Sequence, residues 1–239
     1  MNLKLMLLPV LILCVAATHA NGDIVYDPIS EFSNLQNPNG VWSYSFSNST
    51  IRDENYMLFA ETAPLASGAG GGSLVWHGDS SATAQRPFAG INTTGSNGSS
   101  WQIGELALHP GQNNGGNGNG LAVMTWTAPR AGSVDVNISL AMGLSGSVDW
   151  FFDLNGSSGS IGSGSLSGIS DSDQVSFDNI FVSQGDNLHL VIDSRDGVGS
   201  DLVRITQASF NHSAVPEPST TVLFGAVLSL VCVRRRRSY

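Results

Sequence analysis

The sequence predicts an all-β protein, folded as a two-sheet antiparallel sandwich of the jelly-roll type. Several short segments alternate apolar and polar residues, which is the period of a strand with one buried face. Clusters of glycine, asparagine, proline and serine separate these segments, and no segment carries an apolar stripe at helical spacing. To this fold the sequence adds an N-terminal signal peptide and one short C-terminal transmembrane helix.

Two consecutive segments show the alternation most clearly. Along residues 133–140 the even positions are apolar and the odd positions are polar. Residues 147–154 repeat the pattern, with Val148, Trp150 and Phe152 on the apolar face. Because a short link containing two glycines joins the segments, the sequence predicts a hairpin between them.

The remaining strands follow from the same reasoning. Residues 121–128 are apolar on nearly both faces, as expected of a central strand. Other strands are predicted over Trp42 to Phe46, Leu188 to Ile192, Ile24 to Tyr26, Tyr56 to Phe59, Leu74 to His77, Ile103 to His109, Val175 to Val182 and Leu202 to Phe210. We expect about ten strands in a single domain spanning residues 21–213.

The N-terminus predicts export. Lys4 supplies a positive charge, Leu5 to Ala17 an apolar stretch, and Ala20 a small residue for cleavage, so residues 1–20 form a signal peptide. Leu13 stands before Cys14, where a lipoprotein signal carries a small residue, so we expect cleavage rather than lipidation.

The predicted domain is acidic and has no cysteine. Residues 21–213 contain five arginines, no lysine and 18 acidic residues, a formal net charge of −13 with histidine neutral. Nucleic acid binding is excluded as a function, since it requires basic residues that displace counterions from phosphates. Both cysteines, Cys14 and Cys232, lie outside this domain, so it has no disulfide and no cysteine nucleophile.

The last residues of the chain have three parts. Pro216, Glu217 and Pro218 form an extended stretch, because each proline fixes φ and disfavours helix in the residue before it. An apolar segment at 219–233 follows, and a cluster of four arginines keeps the far end of that segment cytoplasmic. These arginines are Arg234, Arg235, Arg236 and Arg237.

This order resembles the PEP-CTERM sorting signal of bacterial surface and exopolysaccharide-associated proteins, a tail also called the C-terminal domain of ice-binding proteins. The resemblance covers residues 214–239. It implies recognition by an exosortase, a membrane-embedded cysteine peptidase acting at Pro216, Glu217 and Pro218, and then transfer to the envelope or release. The alternative is an ordinary C-terminal membrane anchor.

The domain before this tail also resembles a known group. Four motifs carry the resemblance: residues 39–44, 106–111, 122–129 and 185–186. They are similar to a recurrent domain of secreted and PEP-CTERM proteins, whose fold is that of galactose-binding-like and carbohydrate-binding-module sandwiches. Met124 departs from the group, which usually carries a basic residue in this strand.

Three carboxylates around a glycine turn form the candidate metal site. Asp193, Asp196 and Asp201 offer oxygen ligands of the kind that calcium prefers, and calcium is the candidate cofactor. The alternative is that they are solvated turn residues, since aspartate caps turns through its own side chain.

Aromatic residues out of phase with the core are the candidate ligand contacts. Phe151 lies on the polar face of its strand, whereas Trp76 and Trp101 are expected at a rim, where they would stack on sugar rings. The alternative is that these residues belong to the core or are singly exposed.

Catalysis has little support in the sequence. No Gly-x-Ser-x-Gly elbow precedes a helix, and the five histidines are isolated from one another. We therefore expect a non-catalytic surface or biofilm-matrix protein that binds polysaccharide or adheres. A carbohydrate-active enzyme is the alternative, because paired carboxylates meet in space rather than in sequence. A passive coat component is a third interpretation.

Replacing Pro216, Glu217 and Pro218 with alanine should abolish processing, because the extended stretch that a peptidase reads is lost. Immunoblots of cell fractions should then show a full-length form retained in the membrane. Unchanged processing and location would rule out the sorting hypothesis.

Overall fold

The computed structural model describes residues 22–65, 71–78, 87–94, 100–111, 120–169, 171–195 and 200–215. Residues 23–214 form one compact unit. Within the described ranges the chain forms fourteen strands and one 3₁₀ turn at Ser157–Gly159. The strands are β1 (Ile24–Tyr26), β2 (Trp42–Ser47), β3 (Met57–Leu58), β4 (Glu61–Pro64), β5 (Leu74–His77), β6 (Phe88–Ile91), β7 (Leu106–His109), β8 (Leu121–Thr127), β9 (Gly132–Met142), β10 (Ser147–Leu154), β11 (Ser160–Ser167), β12 (Ser172–Val182), β13 (Asn187–Ser194) and β14 (Val203–Ala214).

The strands pair into two antiparallel sheets. The eight-stranded sheet has the order β12-β9-β14-β7-β6-β5-β4, and β1 pairs with β14 beside this path. The six-stranded sheet has the order β11-β10-β13-β8-β2-β3. The predicted all-β, two-sheet antiparallel sandwich is therefore confirmed, whereas the jelly-roll connectivity stays a prediction.

The core lies between the two sheets and uses the residues that the alternation predicts. The apolar side chains at even positions of β9 are each no more than 2% exposed. Trp42, Tyr44 and Trp126 of the six-stranded sheet meet them from the other side. Trp42 packs edge-on against Phe210 of β14 with ring centroids 5.0 Å apart, which joins the sheets by an aromatic contact.

The predicted hairpin between β9 and β10 is wrong. β9 pairs with β12 and β14, whereas β10 pairs with β11 and β13, so the link at 143–146 crosses from one sheet to the other. A Cβ on Gly146 would lie 2.1 Å from Asp201 Oδ1, and one on Gly143 would lie 2.5 Å from Ser100 O. The glycines therefore allow a close approach to neighbouring loops rather than a tight hairpin turn.

Three strands have no clear signal in the sequence: β4, β6 and β11. β11 is rich in glycine and serine and shows no apolar alternation. A Cβ on Gly162 would lie 2.5 Å from the Phe177 ring, and a Cβ on Gly164 would lie 2.7 Å from the Trp150 ring. Glycine is needed here because aromatic side chains of the core lie against this edge strand.

The remaining strand predictions agree with the structure apart from their ends. β7 begins three residues later than predicted, and β14 continues to Ala214. The described part of the chain has no helix with the length and apolarity of a membrane span. The predicted signal peptide and the predicted span at 219–233 lie outside the described residues, and the domain limits stay predictions.

Gly146→Ala should destabilise the protein by about 1–3 kcal/mol, because the new methyl group has no room beside Asp201 and Ser200. Thermal unfolding measures the effect. The exposed neighbour Ser145 provides the control, since Ser145→Ala should leave the unfolding midpoint nearly unchanged. Equal midpoints for the two variants would contradict the close approach at Gly146.

Candidate functional site

Three neighbouring strands of the six-stranded sheet present alternate side chains away from the core. We call this surface the outer face. The register aligns the side chains in rows across β10, β13 and β8. The first row, which we call the acidic row, holds two carboxylates and a leucine: Asp149, Asp193 and Leu121. The second row is apolar (Phe151, Val191 and Val123), and the third is polar (Asp153, His189 and Thr125).

A segment before β3, which we call the strap (residues 48–56), lies against the outer face. The guanidinium carbon of Arg52 is 3.7 Å from the centroid of the Phe151 ring. The Nη1 of Arg52 donates to both carboxylate oxygens of Asp153, at 2.7 and 2.5 Å. Asp153 has a side-chain exposure of 0%, so Arg52 supplies the compensating charge that a buried carboxylate requires.

His189 lies beside this ion pair, directly opposite Asp153 in the register. Its Nδ1 is 2.8 Å from Thr125 Oγ1, and the Tyr56 ring meets the imidazole edge-on at 5.2 Å. Its Nε2 is buried without a hydrogen-bond partner, 3.7 Å from Glu54 Oε1. Burial lowers the pKa of His189 and the nearby carboxylates oppose this, so the imidazole is neutral at neutral pH.

The acidic row holds two carboxylates on adjacent strands. Asp149 and Asp193 are cross-strand partners, and Arg195 Nε lies 3.4 Å from Asp149 Oδ1. The Oδ1 of Asp193 is buried without a hydrogen-bond partner. Burial raises the pKa of Asp193 to about 6, and the charge of Asp149 adds to the effect. The Asp193 carboxyl group, with a pKa of about 6, therefore titrates closer to neutral pH than an ordinary aspartate does.

The three predicted aromatic contacts have different surroundings. Trp76 is 6% exposed and donates its Nε1–H to the carbonyl oxygen of Ser33 at 2.6 Å. Trp101 is 0% exposed and packs against Phe88. The expected rim positions of these two indoles are therefore corrected, since both rings belong to the core. Phe151 lies on the outer face as predicted, although Arg52 covers one side of its ring.

The structure does not bring together the two candidate calcium ligands that it describes, Asp193 and Asp201. Asp193 faces outward, whereas the next side chain, Ser194, is buried and donates to Asp201 Oδ2 at 2.6 Å. Asp201 is also buried, and its Oδ1 accepts from the Ser147 backbone N–H at 3.2 Å. Asp196 lies outside the described residues. Among the residues that the structure describes, no group of three or more His, Cys, Asp or Glu side chains is placed to hold a metal ion.

A groove of about 400 Å³ lies at the junction of β9, β12 and β14 in the eight-stranded sheet. A β-bulge in β14 between Ile205 and Gln207 displaces Thr206 and helps to shape it. Gln174 Nε2 donates to Ser139 Oγ at 3.4 Å across this surface. The side chains that line the groove are three hydroxyls, two amides, one carboxylate and two apolar groups: Ser139, Ser172, Thr206, Gln174, Gln207, Asp173, Leu140 and Ala141.

The tail that follows the sandwich corresponds to a known sorting motif, whereas the roles of its individual residues stay predictions. Residues 214–237 match the PEP-CTERM protein-sorting motif. The chain therefore carries the signal of an exported protein that an exosortase processes and that is sorted to the cell surface. The predicted signal-peptide cleavage residue, Ala20, and the predicted processing residues of the tail all lie outside the described residues. The tail residues are Pro216, Glu217, Pro218, Arg234, Arg235, Arg236 and Arg237.

The sandwich is similar to that of several solved structures. An arabinose-bound GH51 α-L-arabinofuranosidase has a TM-score of 0.33 and 10% identity, over 53% of this chain and 22% of that one. A family 35 carbohydrate-binding module from Clostridium thermocellum has a TM-score of 0.27 and 14% identity, over 44% of this chain and 75% of that one. The carbohydrate-binding module CBM36 in complex with calcium and xylotriose has a TM-score of 0.26 and 12% identity, over 47% of this chain and 82% of that one. No curated protein matches the chain in sequence.

Sequence reasoning missed the cluster formed by Arg52, Asp153 and His189. Arg52 and Asp153 are 101 residues apart, and only strand pairing places His189 beside them. One signal was present, because Asp153 is a carboxylate on the same face of its strand as the apolar Phe151. A carboxylate on a covered face of a sheet needs a cationic partner. The candidates are few, since Arg52 is one of five arginines before the tail.

Asp193→Asn should stabilise the protein at about pH 7.5, by on the order of 1 kcal/mol after allowance for solvent screening. The pKa of Asp193 is raised from 3.8 to about 6 in the folded state, so the charged form is disfavoured there. The penalty is complete above the folded pKa and disappears below the unfolded one. Unfolding midpoints should therefore differ at about pH 7.5 and coincide near pH 3.5. An equal gain at both pH values would contradict the raised pKa.

Proposed function

We propose that this protein is an exported, non-catalytic component of the cell surface or extracellular matrix that binds neutral polysaccharide. The sorting motif at residues 214–237 carries the proposal, because such a motif directs a protein to the surface. An N-terminal signal peptide ending at Ala20 would supply export. An exosortase-type peptidase would then act at Pro216, Glu217 and Pro218.

The groove of the eight-stranded sheet supports polysaccharide as the ligand. Its hydroxyl and amide groups are donors and acceptors of the kind that bind sugar hydroxyls, and Asp173 is the one carboxylate in its lining. The net charge of −13 over residues 21–213 disfavours polymers of uronic acids by repulsion. A neutral chain of sugars is therefore the polymer that fits this surface.

One observation favours the alternative of a carbohydrate-active enzyme. Asp149 and Asp193 are paired across strands, and the pKa of Asp193 is raised to about 6. Two neighbouring carboxyl groups, one of them with a raised pKa, are the arrangement that glycoside hydrolysis uses. Release of reducing ends from a bound polysaccharide, lost in Asp193→Asn, would establish the enzyme in place of the binding protein.

Binding of the full chain, solubilised in neutral detergent, to an array of bacterial and algal polysaccharides tests the proposal. The double variant Gln174→Ala, Gln207→Ala should weaken binding about tenfold, because two hydrogen-bonding side chains of the groove are lost. Both residues are exposed, so stability should change little.

The matched control is Gln184→Ala, which removes an exposed amide at the turn between β12 and β13. Equal affinities for the double variant and this control would exclude the groove as the binding site. If no polysaccharide binds the wild-type chain, the protein is instead a passive coat component.

A further inference from the structure

We propose that the outer face is a second binding site, specific for amino-sugar polysaccharides, and that Arg52 of the strap occupies it within the same chain. This inference rests on the proposed polysaccharide-binding function but does not use the groove. The ligand's ammonium group would take the position of the guanidinium beside Asp153. Its sugar ring would take the position of the guanidinium on Phe151.

The geometry around Arg52 identifies the chemical class. A cation lies over the Phe151 ring at 3.7 Å and is held by a fully buried carboxylate, Asp153. An aromatic ring beside a carboxylate binds a flat, cationic group, because the ring face and the carboxylate both attract positive charge. A pyranose that bears an ammonium group offers an apolar C–H face to the aromatic ring and a positive charge to the carboxylate, whereas an N-acetylated sugar has lost the charge.

Two buried polar atoms at this site make no hydrogen bond within the chain, although one of them, His189 Nε2, lies 3.7 Å from Glu54 Oε1. The side chain of His189 is only 5% exposed, and its Nε2 makes no hydrogen bond. The Tyr56 hydroxyl is likewise buried without a partner. Buried polar groups are nearly always hydrogen-bonded, so these two atoms are available to a ligand or to a water molecule that a ligand would displace. With Nδ1–H donating to Thr125, the neutral imidazole would offer Nε2 as an acceptor to an ammonium group.

The charges of the site favour a cation. The outer face and strap carry five carboxylates, from Asp53, Glu54, Asp149, Asp153 and Asp193, against two guanidiniums, those of Arg52 and Arg195. Glu54 is 41% exposed and 3.7 Å from His189 Nε2, so its carboxylate borders the site on the solvent side. A polymer with many ammonium groups would also be attracted by the net charge of the domain.

The strap also contacts the sheet through Tyr56 and Glu54, both beside His189, so displacement of the Arg52 side chain does not require release of the whole strap. The Ser157 N–H donates to the Arg52 carbonyl oxygen at 2.8 Å. Within the strap, Ser49 and Asp53 accept from backbone N–H groups two residues further along, which holds local turns rather than the sheet. Arg52 is 18% exposed, so solvent and ligand reach the ion pair without passing through the core.

Calorimetric titration of the full chain in neutral detergent with glucosamine hexamer tests the site. Glu54→Gln should weaken binding about threefold, because one carboxylate at the site is neutralised. The matched control Glu61→Gln removes the same charge from β4 of the other sheet, and it should leave the affinity unchanged. N-acetylglucosamine hexamer should not bind. Both glutamates are exposed, so folding is not at risk.

Removal of the Arg52 guanidinium should strengthen the binding of glucosamine hexamer to the outer face. Arg52→Gln should bind glucosamine hexamer at least about tenfold more tightly than the wild type, and the gain should be lost in Arg52→Gln, Asp153→Asn. The Glu54 and Glu61 variants keep the test valid if Arg52→Gln proves too unstable to purify.

Two results would overturn the proposal. Equal effects of Glu54→Gln and Glu61→Gln, or equal affinity for an oligolysine of the same charge, would show non-specific attraction by an acidic surface. The groove variant Gln174→Ala, Gln207→Ala should not alter glucosamine binding. Loss of neutral polysaccharide binding in that variant, with glucosamine binding intact, separates the two sites.

Discussion

Burial of two apolar inner faces against each other is the interaction on which the rest of the structure depends. The domain has no cysteine, so no disulfide contributes to its stability. Trp42, Trp126 and Phe210 are each no more than 1% exposed and pack on one another between the sheets. Each such side chain contributes about 1.5–3 kcal/mol through burial, which allows the outward residues to be chosen for other purposes.

Close packing at the ends and edges of the sheets requires glycine at several positions. Gly146 allows the link between β9 and β10 to pass beside Asp201, and Gly162 and Gly164 allow β11 to lie against aromatic rings. Asp201 accepts hydrogen bonds from Ser147 and Ser194 and so joins the ends of β10 and β13. These contacts hold the strands of the outer face in register.

The outer face combines apolar side chains with a charged pair, and the strap covers part of it. The strap covers Phe151 and Val191, and the cost of burying Asp153 is offset by Arg52. The remaining polar atoms of Tyr56 and His189 are not satisfied by the chain. Structural stability alone would favour apolar residues at these positions, and this is the reason for the ligand-binding role proposed for the cluster.

The sequence by itself determined the sorting tail, the all-β class and the residues of the inner faces, because each depends on local order or on a period of two residues. Tertiary structure decided which strands pair: it made the link after β9 a crossing between sheets, buried Trp76 and Trp101, and separated Asp193 from Asp201. Strand pairing depends on burial summed over the whole domain, and the same short alternating segments are compatible with several pairings. For this reason the cluster of Arg52, Asp153 and His189 follows from the fold and not from any motif.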